Sequence, residues 1–355
     1  MSPAAPWPRL RTVGARPGWS MNEYRSPFSE SAARDLGTIA LLLLLGLCAS
    51  DAGAEPLLTR NQNPLLLPYG LPLPLPARLP ASGSGRYGLD VNWSNAANLE
   101  TSGASEFTLD GESVDVRLRL EHAFGDRWAA MIELPWRSLS GGTLDGFIEN
   151  WHDFFGLPEG PRKRMPQDRL LIDYQQSGET LLHVDDSSSG IADIPLGVGY
   201  QLLSSDERAL STWLTVKAPT GDSDDLLGSG ALDVALSIAG EMQLADKWQL
   251  FGQLDGVWLG DGDILPQYQQ SFVVAGLAGL TWNAWRALDL TVQFYANSQV
   301  FDVPVTGLSG DAVILSYGGT WRTDGGWRFD FGMNEDIDVD ASPDATFYVL
   351  VQKGF

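Results

Sequence analysis

Cysteine, histidine and positive charge are all scarce in this sequence. Its 355 residues include one cysteine, Cys48, and three histidines, and 23 lysines and arginines stand against 45 aspartates and glutamates. The net charge of −22 argues against nucleic acid as a partner, because nucleic-acid-binding proteins carry basic surfaces. The sequence contains no CxxC or HxxxH pair, so we expect no zinc site, and nothing in it requires a cofactor.

The chain also lacks an apolar run long enough for a membrane-spanning helix. Its longest run, residues 39–47, falls short of the ~20 residues that such a helix needs. Arg25 and Arg34 precede the run and AGA at 52–54 follows it, which is the pattern of a secretory signal peptide. The pattern predicts export, with cleavage before Glu55.

Apolar residues recur at every second position from Arg86 onward. Val114 and Val116, for example, alternate with Asp115 and Arg117. This period is typical of a strand with one apolar and one polar face. It predicts about twelve strands, over residues 86–94, 112–124, 127–137, 191–204, 207–219, 230–244, 246–259, 269–283, 285–298, 311–323, 325–334 and 345–355.

The joins between these strands alternate between short and long. Tight turns are predicted at positions such as 125–126 and 245–246, whereas 95–111 and 138–190 are long segments. An up-and-down barrel in the outer membrane has this phase, with short periplasmic turns and long external loops, and a Greek-key sandwich has no reason to keep it. We therefore predict an all-β fold, a closed antiparallel transmembrane barrel over residues 86–355 in a Gram-negative outer membrane.

The last strand and the tryptophans favour the same location. Residues 347–355 alternate and end on Phe355, which resembles the C-terminal signature read by the outer-membrane assembly machinery, although Lys353 stands where an aromatic residue is more usual. Phe355 is thus a predicted assembly signal, and the expected partners are that machinery, outer-membrane lipid and lipopolysaccharide. Tryptophans predicted to form interfacial girdles are Trp128, Trp136, Trp248, Trp258, Trp282, Trp321 and Trp327.

A proline-rich segment, residues 55–85, lies between the signal peptide predicted over 1–54 (with Met21 as an alternative start) and the barrel. Seven prolines between Pro56 and Pro80 forbid helix and central strand and leave extended chain of the polyproline type. Two interpretations stay open. The segment is either a flexible periplasmic tail or, as its many leucines favour, a piece tucked into the mouth of the barrel.

The longest predicted loop contains folded elements. Residues 144–155 predict a helix whose apolar stripe consists of Leu144, Phe147, Ile148, Trp151 and Phe155. Residues 169–185 predict a hairpin that turns at 177–178. We expect the helix to lie in or across the external mouth with its apolar face inward, since such a stripe is a liability in open water. Residues 143–185 are therefore a candidate lid, which also includes His152, Arg162, Lys163 and Arg164.

The N-terminal segment and this loop also carry a family resemblance. Its motifs are TRNQNP at 59–64, GLP at 70–72, LDGE at 109–112, GG at 141–142 and the block 144–160. With them the chain resembles an uncharacterised proteobacterial outer-membrane family, domain of unknown function 3187, over essentially all of 57–355. The resemblance implies an outer-membrane barrel and no particular activity. Residues 216–222 are more weakly similar to a strand–loop junction of barrels tied to uptake of aromatic compounds, a match that turn chemistry alone also explains.

The strand alternation places charges of both signs in the predicted lumen. They are Asp115, Arg117, Arg119, Glu121, Glu133, Lys217, Asp255, Asp289, Arg328 and Asp330. These groups either pair with one another in a narrow, largely filled lumen or line a path for a solute. A barrel of about twelve strands lies between packed eight-stranded barrels and open porins, so the sequence leaves both open.

No set of catalytic residues is apparent in the sequence. His152 and Asp153 are adjacent on the predicted helix, but a surface or packing histidine is the favoured interpretation. There is no GxSxG motif, and His122 lacks the serine partner that a barrel phospholipase needs. The acid-rich external loops fit no EF-hand pattern, so we expect solvated turns there.

Three functions remain, in decreasing order of support. The first is a passive channel or uptake protein for a small solute, gated by residues 143–185. The second is a non-transporting structural or scaffold barrel of the envelope. The third is a membrane enzyme, for which no catalytic residues are found. The sequence does not identify a solute.

Overall fold

A computed structural model of the chain describes residues 55–155, 161–337 and 341–355, so the predicted signal peptide lies outside the described residues. The one long helix in this part, α1, spans Asp145–Phe155, and short helical turns lie at Arg162–Arg164 and Thr306–Ser309. The strands are β1 (Gly85–Ser102), β2 (Ser105–Phe124), β3 (Trp128–Ser140), β4 (Leu171–Gln176), β5 (Glu179–Val184), β6 (Ser188–Ile191), β7 (Ile194–Ser204), β8 (Arg208–Ala218), β9 (Asp233–Ala245), β10 (Trp248–Trp258), β11 (Phe272–Trp285), β12 (Leu288–Asn297), β13 (Ala312–Arg322), β14 (Trp327–Asp336) and β15 (Ala345–Gly354). Among the described residues no helix is long and apolar enough to cross a membrane.

Twelve of the described strands form one closed antiparallel barrel. From β7 to β15 each strand pairs with the next along the chain, and β15 pairs with β1. The pairs β1–β2, β2–β3 and β3–β7 then close the circle. The predicted twelve-stranded up-and-down barrel is confirmed, and the observed strands follow the predicted ranges closely.

The structure differs from the prediction at residues 95–111, which were expected to form a loop. Here β1 and β2 continue as one ladder, with Cα partners from Gly85↔His122 to Ser102↔Ser105. Gly103 makes the turn with a φ of +62°, a conformation open to glycine because it has no Cβ. The outer part of β2 also pairs with β4. The alternation is weak across 95–101, which is why the sequence did not indicate these strands.

The β4–β5 hairpin agrees with the prediction. It turns at Ser177 and Gly178, whose φ angles of +55° and +80° are those of a type I′ turn. The backbone twist of a type I′ turn matches the right-handed twist of the strands on either side of it. Because β4 continues the outer part of β2, the hairpin projects beyond the barrel at the end with the long loops.

The outer face of the barrel is apolar and carries aromatic pairs at both ends. Exposed leucines, valines and phenylalanines cover its middle. Trp248 and Trp282 stack at the end with the short turns, with ring centroids 5.9 Å apart. Trp258 and Phe272 stand 5.2 Å apart at the end with the long loops. In outer-membrane barrels the short turns face the periplasm, so we call the two ends periplasmic and external.

Candidate functional site: the plugged lumen

The lumen is occupied by the chain's own N-terminal segment, residues 55–80, which we call the plug. It begins at the periplasmic end, where Glu55 pairs with Arg86 on β1. It reaches the external end, where the Tyr69 hydroxyl donates to the carbonyl of Ile264 at 3.3 Å. It then returns, since Arg78 donates to the carbonyl of Ser205 in a short turn at 2.8 Å. The periplasmic-tail interpretation is therefore wrong, and the segment runs far deeper than the mouth.

Proline explains why the plug lies in the lumen without joining the sheet. A proline has no N–H, so alternate prolines cannot donate the hydrogen bonds that the carbonyl groups of a neighbouring strand require. Two glutamine side chains of the wall form the hydrogen bonds that a neighbouring strand would otherwise form with the plug backbone. Gln253 accepts from the N–H of Leu75 at 2.6 Å and donates to the carbonyl of Leu73 at 3.2 Å. Gln201 makes the same pair of bonds with residues 79 and 77, each at 2.8 Å. A side-chain amide provides both groups that buried backbone requires.

Positive side chains of the wall satisfy other plug carbonyls. Such charged donors form stronger hydrogen bonds than neutral ones. They are Arg328 to Pro56 at 3.1 Å, Arg137 to Leu67 at 3.2 Å, Lys217 to Pro68 at 3.0 Å and Arg119 to Pro74 at 3.2 Å. These cations are occupied with the chain's own backbone, so they do not offer an open path to a solute in this state.

All ten charged residues predicted for the lumen have buried side chains inside the barrel. Many pair with one another or with a wall neighbour. Arg117 lies 3.0 Å from Asp90 and 3.3 Å from Asp115, and Arg119 lies 3.4 Å from Glu133. Further ion pairs of the predicted set are Asp115 with Arg137, Glu121 with Arg86, Lys217 with Asp193 and Asp233, Asp289 with Arg322, and Arg328 with Asp330 and Glu55. Asp255 accepts a hydrogen bond from Gln253 at 2.9 Å.

Several important interior residues were missed in the sequence. Asp90 alternates with the apolar Leu89 and Val91 in a predicted strand, so the same alternation could have found it. Asp193 and Asp233 lie where strands begin, where alternation is not yet visible. Arg60 lies in the plug and donates to carbonyls at its apex, to Tyr69 at 3.3 Å and Leu67 at 3.1 Å. Nothing in the local sequence signals that role.

The external mouth is closed by loops that meet above the plug. Tyr174 of β4 contacts Tyr268 of the 259–271 loop edge to face, with ring centroids 6.3 Å apart. The Tyr268 hydroxyl also donates to the Gln176 side chain at 2.6 Å. Burial raises the pKa of Tyr174, so the hydroxyl of Tyr174 stays neutral. Leu65 and Tyr69 at the plug apex belong to the same apolar cluster, so the mouth and the plug form one core.

Helix α1 does not lie over the lumen, and this part of the lid prediction is wrong. Leu144 and Ile148 are buried against Ala345, and the rings of Phe147 and Phe347 are 5.8 Å apart. Residues 345 and 347 face away from the lumen, since Thr346 between them bonds to Ser94 on the inside. The helix therefore packs on the outer face of the wall. An apolar stripe requires an apolar neighbour, and a membrane barrel offers one on its outside as well.

Polar contacts fix α1 in that position. Glu112, on the outer side of β2, accepts hydrogen bonds from the N–H groups of Thr143 and Leu144, both at 2.9 Å. Arg162 is buried and donates to Asp145 at 2.7 Å and to Asp344. Of the other predicted lid residues, Lys163 pairs with Asp153 at 2.9 Å on the surface and Arg164 is exposed. The side chains of Trp151, His152 and Phe155 lie outside the described residues.

The free space in the described barrel lies almost wholly at the periplasmic end. A vestibule of about 1120 Å³ opens there, lined by the two ends of the plug, the short turns and the C-terminal Phe355. A second cavity, deeper along the plug beside Arg117 and Lys217, has only about 40 Å³, little more than a water molecule requires. In the ranges that the structure describes, no group of three or more metal-ligating side chains is placed to hold an ion. The described interior of the barrel therefore holds the chain's own N-terminal segment in place.

A family model for "Protein of unknown function (DUF3187)" matches residues 36–355. The chain belongs to this family. The resemblance drawn from these motifs is thereby confirmed. In this DUF3187 protein the motifs at 59–64 and 70–72 lie in the plug, the motif at 109–112 lies in β2, and the described part of the block 144–160 contains α1. A search of curated proteins found no match.

Solved structures share the barrel. The COG4313 outer membrane channel from Pseudomonas putida F1 is 16% identical, with 78% of this chain and 97% of that chain covered and a TM-score of 0.52. A KdgM porin is 8% identical over 77% of this chain and 99% of its own, with a TM-score of 0.41. The CymD monoaromatic hydrocarbon channel is 12% identical over 78% and 88%, with a TM-score of 0.34. At such identity the first likeness concerns the fold alone, an outer-membrane channel-type barrel.

Proposed function

We propose that this DUF3187 protein is a passive outer-membrane channel or uptake barrel for a small solute, held closed by its N-terminal plug. The barrier is the plug, in place of the 143–185 lid expected from the sequence. One observation carries the proposal. Among the described residues no backbone-to-backbone hydrogen bond joins residues 55–80 to a strand of the wall, so the plug is not a part of the closed sheet. The barrel can therefore persist when part of the plug moves.

The number of plug contacts sets how the channel opens. Each hydrogen bond to the wall contributes a net ~0.5–1.5 kcal/mol, and buried leucines add to this. Complete withdrawal would break all of them together, whereas movement of one limb breaks only part of them. We propose that the N-terminal limb, residues 55–60, moves first. It begins in the open vestibule, where its Glu55 side chain is 31% exposed.

The proposal is tested by deleting residues 57–80 and measuring single-channel conductance of the refolded protein in planar bilayers. The full chain should be closed or open rarely, and the deletion should give steady conductance. Heat-modifiable gel migration serves as the control for a folded barrel. A folded, plug-less barrel without conductance would overturn the channel and favour a scaffold barrel, which the extensive bonding of the plug also fits.

We further propose that residues 1–54 are a cleaved signal peptide and that outer-membrane lipid, lipopolysaccharide and the assembly machinery are the partners of the mature chain. N-terminal sequencing of protein recovered from the outer membrane should give Glu55. A start more than a few residues away would contradict this. Deleting Phe355 should lower the amount in the outer membrane, and an unchanged amount would refute its role as an assembly signal.

A further inference from the structure

The vestibule differs in charge from the rest of the molecule. The whole sequence has nearly twice as many acidic as basic residues. The described vestibule lining reverses this, with six basic against four acidic side chains. The basic residues are Arg78, Arg86, Lys247, Arg286, Arg322 and Arg328. An excess of one sign of charge in a cavity raises the local concentration of small ions of the other sign.

Within this lining, one carboxylate stands apart from the others. Glu55 pairs with Arg86, with Oε1 at 2.9 Å from Nη1, and its other oxygen pairs with Arg328. Both arginines also hold a carboxylate of the wall, Glu121 and Asp330 respectively. Glu55 is the only member of this group that belongs to the plug. Each guanidinium donates one charge-assisted hydrogen bond to a different oxygen of Glu55, and such bonds are stronger than those between neutral groups.

We infer that the vestibule is a binding site for small organic carboxylates, which replace Glu55 between Arg86 and Arg328. After the exchange each guanidinium still has two carboxylate partners, the incoming ligand and Glu121 or Asp330 of the wall. A neutral ligand cannot make this exchange. The space of about 1120 Å³ admits an organic body, and Trp285 and Trp327 line it with apolar surface.

Binding would loosen the first limb of the plug. Beyond Glu55, that limb is held at this end by Arg328 to the Pro56 carbonyl at 3.1 Å and by Gln293 to the Leu57 carbonyl at 3.3 Å. An incoming carboxylate on Arg328 competes with the first of these bonds as well. This opening step rests on the proposed channel function, whereas the binding step does not.

The test measures binding alone, by isothermal titration of the refolded mature chain with benzoate. Tethered Glu55 competes at an effective concentration of the order of millimolar, so the wild type should bind weakly. Glu55→Gln removes the competitor at constant size and should tighten benzoate binding about tenfold. Arg86→Gln in the Glu55→Gln background should remove most of that gain. Benzyl alcohol, the neutral analogue, should bind the Glu55→Gln variant no more tightly than the wild type.

Glu179→Gln is the matched control, because it makes the same change on exposed β5 at the external end. It should leave benzoate binding as in the wild type. The inference is overturned if Glu55→Gln binds benzoate no more tightly than the wild type, or if benzyl alcohol gains equally. Heat-modifiable migration of each variant shows that its barrel is folded. Since no current is measured, failure here is separate from failure of the conductance test on the plug deletion.

Discussion

The leucine-rich plug and the aromatic-rich helix α1 are both separate from the strands of the barrel wall, yet they occupy opposite sides of it. The plug fills the lumen, where Leu57, Leu65 and Tyr69 are at most 1% exposed. The helix packs on the outer face, where Phe147 remains 48% exposed. Their apolar side chains do not explain the difference, since both faces of the wall have apolar regions. The backbones do.

A helix satisfies its own backbone groups, whereas a proline-rich extended segment cannot. The plug therefore requires outside donors for its carbonyls, and only the polar interior provides them through residues such as Gln253 and Lys217. The outer face has few such groups, because it is built to contact lipid. Helix α1 satisfies most of its own backbone groups there, and Glu112 accepts hydrogen bonds from N–H groups at its start. Backbone satisfaction thus decides the side of the wall.

The sharpest way to break this comparison is one matched truncation in each segment. Leu65 at the plug apex is 0% exposed and Ile148 on α1 is 1% exposed. Changing either to alanine removes a similar buried side chain at a cost of ~2–5 kcal/mol. We expect Leu65→Ala to raise the frequency of channel openings in planar bilayers, and Ile148→Ala to leave conductance at the wild-type level.

Limited proteolysis provides the control for this pair. Ile148→Ala should speed cleavage within 143–165, which shows that the helix has loosened even though no current appears. Increased current from Ile148→Ala together with a silent Leu65→Ala would reverse the assignment. The gate would then belong to the long loop, as the sequence first suggested.

The sequence was sufficient for the wall because the evidence for a strand is local. Alternation marked β8 at 207–219, and the observed strand is Arg208–Ala218. It also placed Asp255 and Lys217 inside. The positions of the plug and of helix α1 were not predictable in this way. An apolar stripe indicates that an apolar neighbour is needed, but it does not identify which part of the fold that neighbour is. The partners of Lys217, at the starts of β7 and β9, become neighbours only when the barrel closes.

Two glycines sharpen the comparison with a single added methyl group. A Cβ on Gly70 of the plug would lie 2.7 Å from the Cβ of Asp233, closer than such atoms approach. Gly70→Ala must therefore shift the plug or the wall, at a cost of ~1–3 kcal/mol. A Cβ on Gly146 of α1 meets nothing within 4 Å, and alanine there should stabilise by ~0.5–1 kcal/mol.

Thermal unfolding in detergent measures the stability of both glycine variants. Gly70→Ala should lower the midpoint and Gly146→Ala should leave it unchanged or raise it slightly. Brief openings in planar bilayers are expected for Gly70→Ala alone. If both variants behave alike, the close contact between the plug and Asp233 does not limit the position of the plug.

The smallest expected effect concerns the external hairpin, which covers the plug without being the barrier. His183 on β5 lies with Nδ1 2.7 Å from Asp173 on β4, and this hydrogen bond raises the pKa of the histidine. A histidine with a raised pKa binds more protons in the folded state. Protonated His183 therefore stabilises the hairpin fully at a pH below 6.5, the ordinary pKa of histidine. This contribution is lost as the pH rises through the raised pKa. Both side chains reach solvent, so screening keeps the effect small.

We expect amide hydrogen exchange in β4 and β5, corrected for the intrinsic pH dependence of exchange, to become modestly faster between about pH 5 and about pH 8. Asp173→Asn should weaken that dependence and His183→Gln should abolish it. Conductance should stay unchanged across the same range, because the plug still fills the lumen when the hairpin loosens. Corrected exchange that is equal at both ends of the range in the wild type would show that the pair does not hold the hairpin. A rise in current with pH that His183→Gln removes would make the hairpin part of the gate, and the contrast between cover and plug would no longer hold.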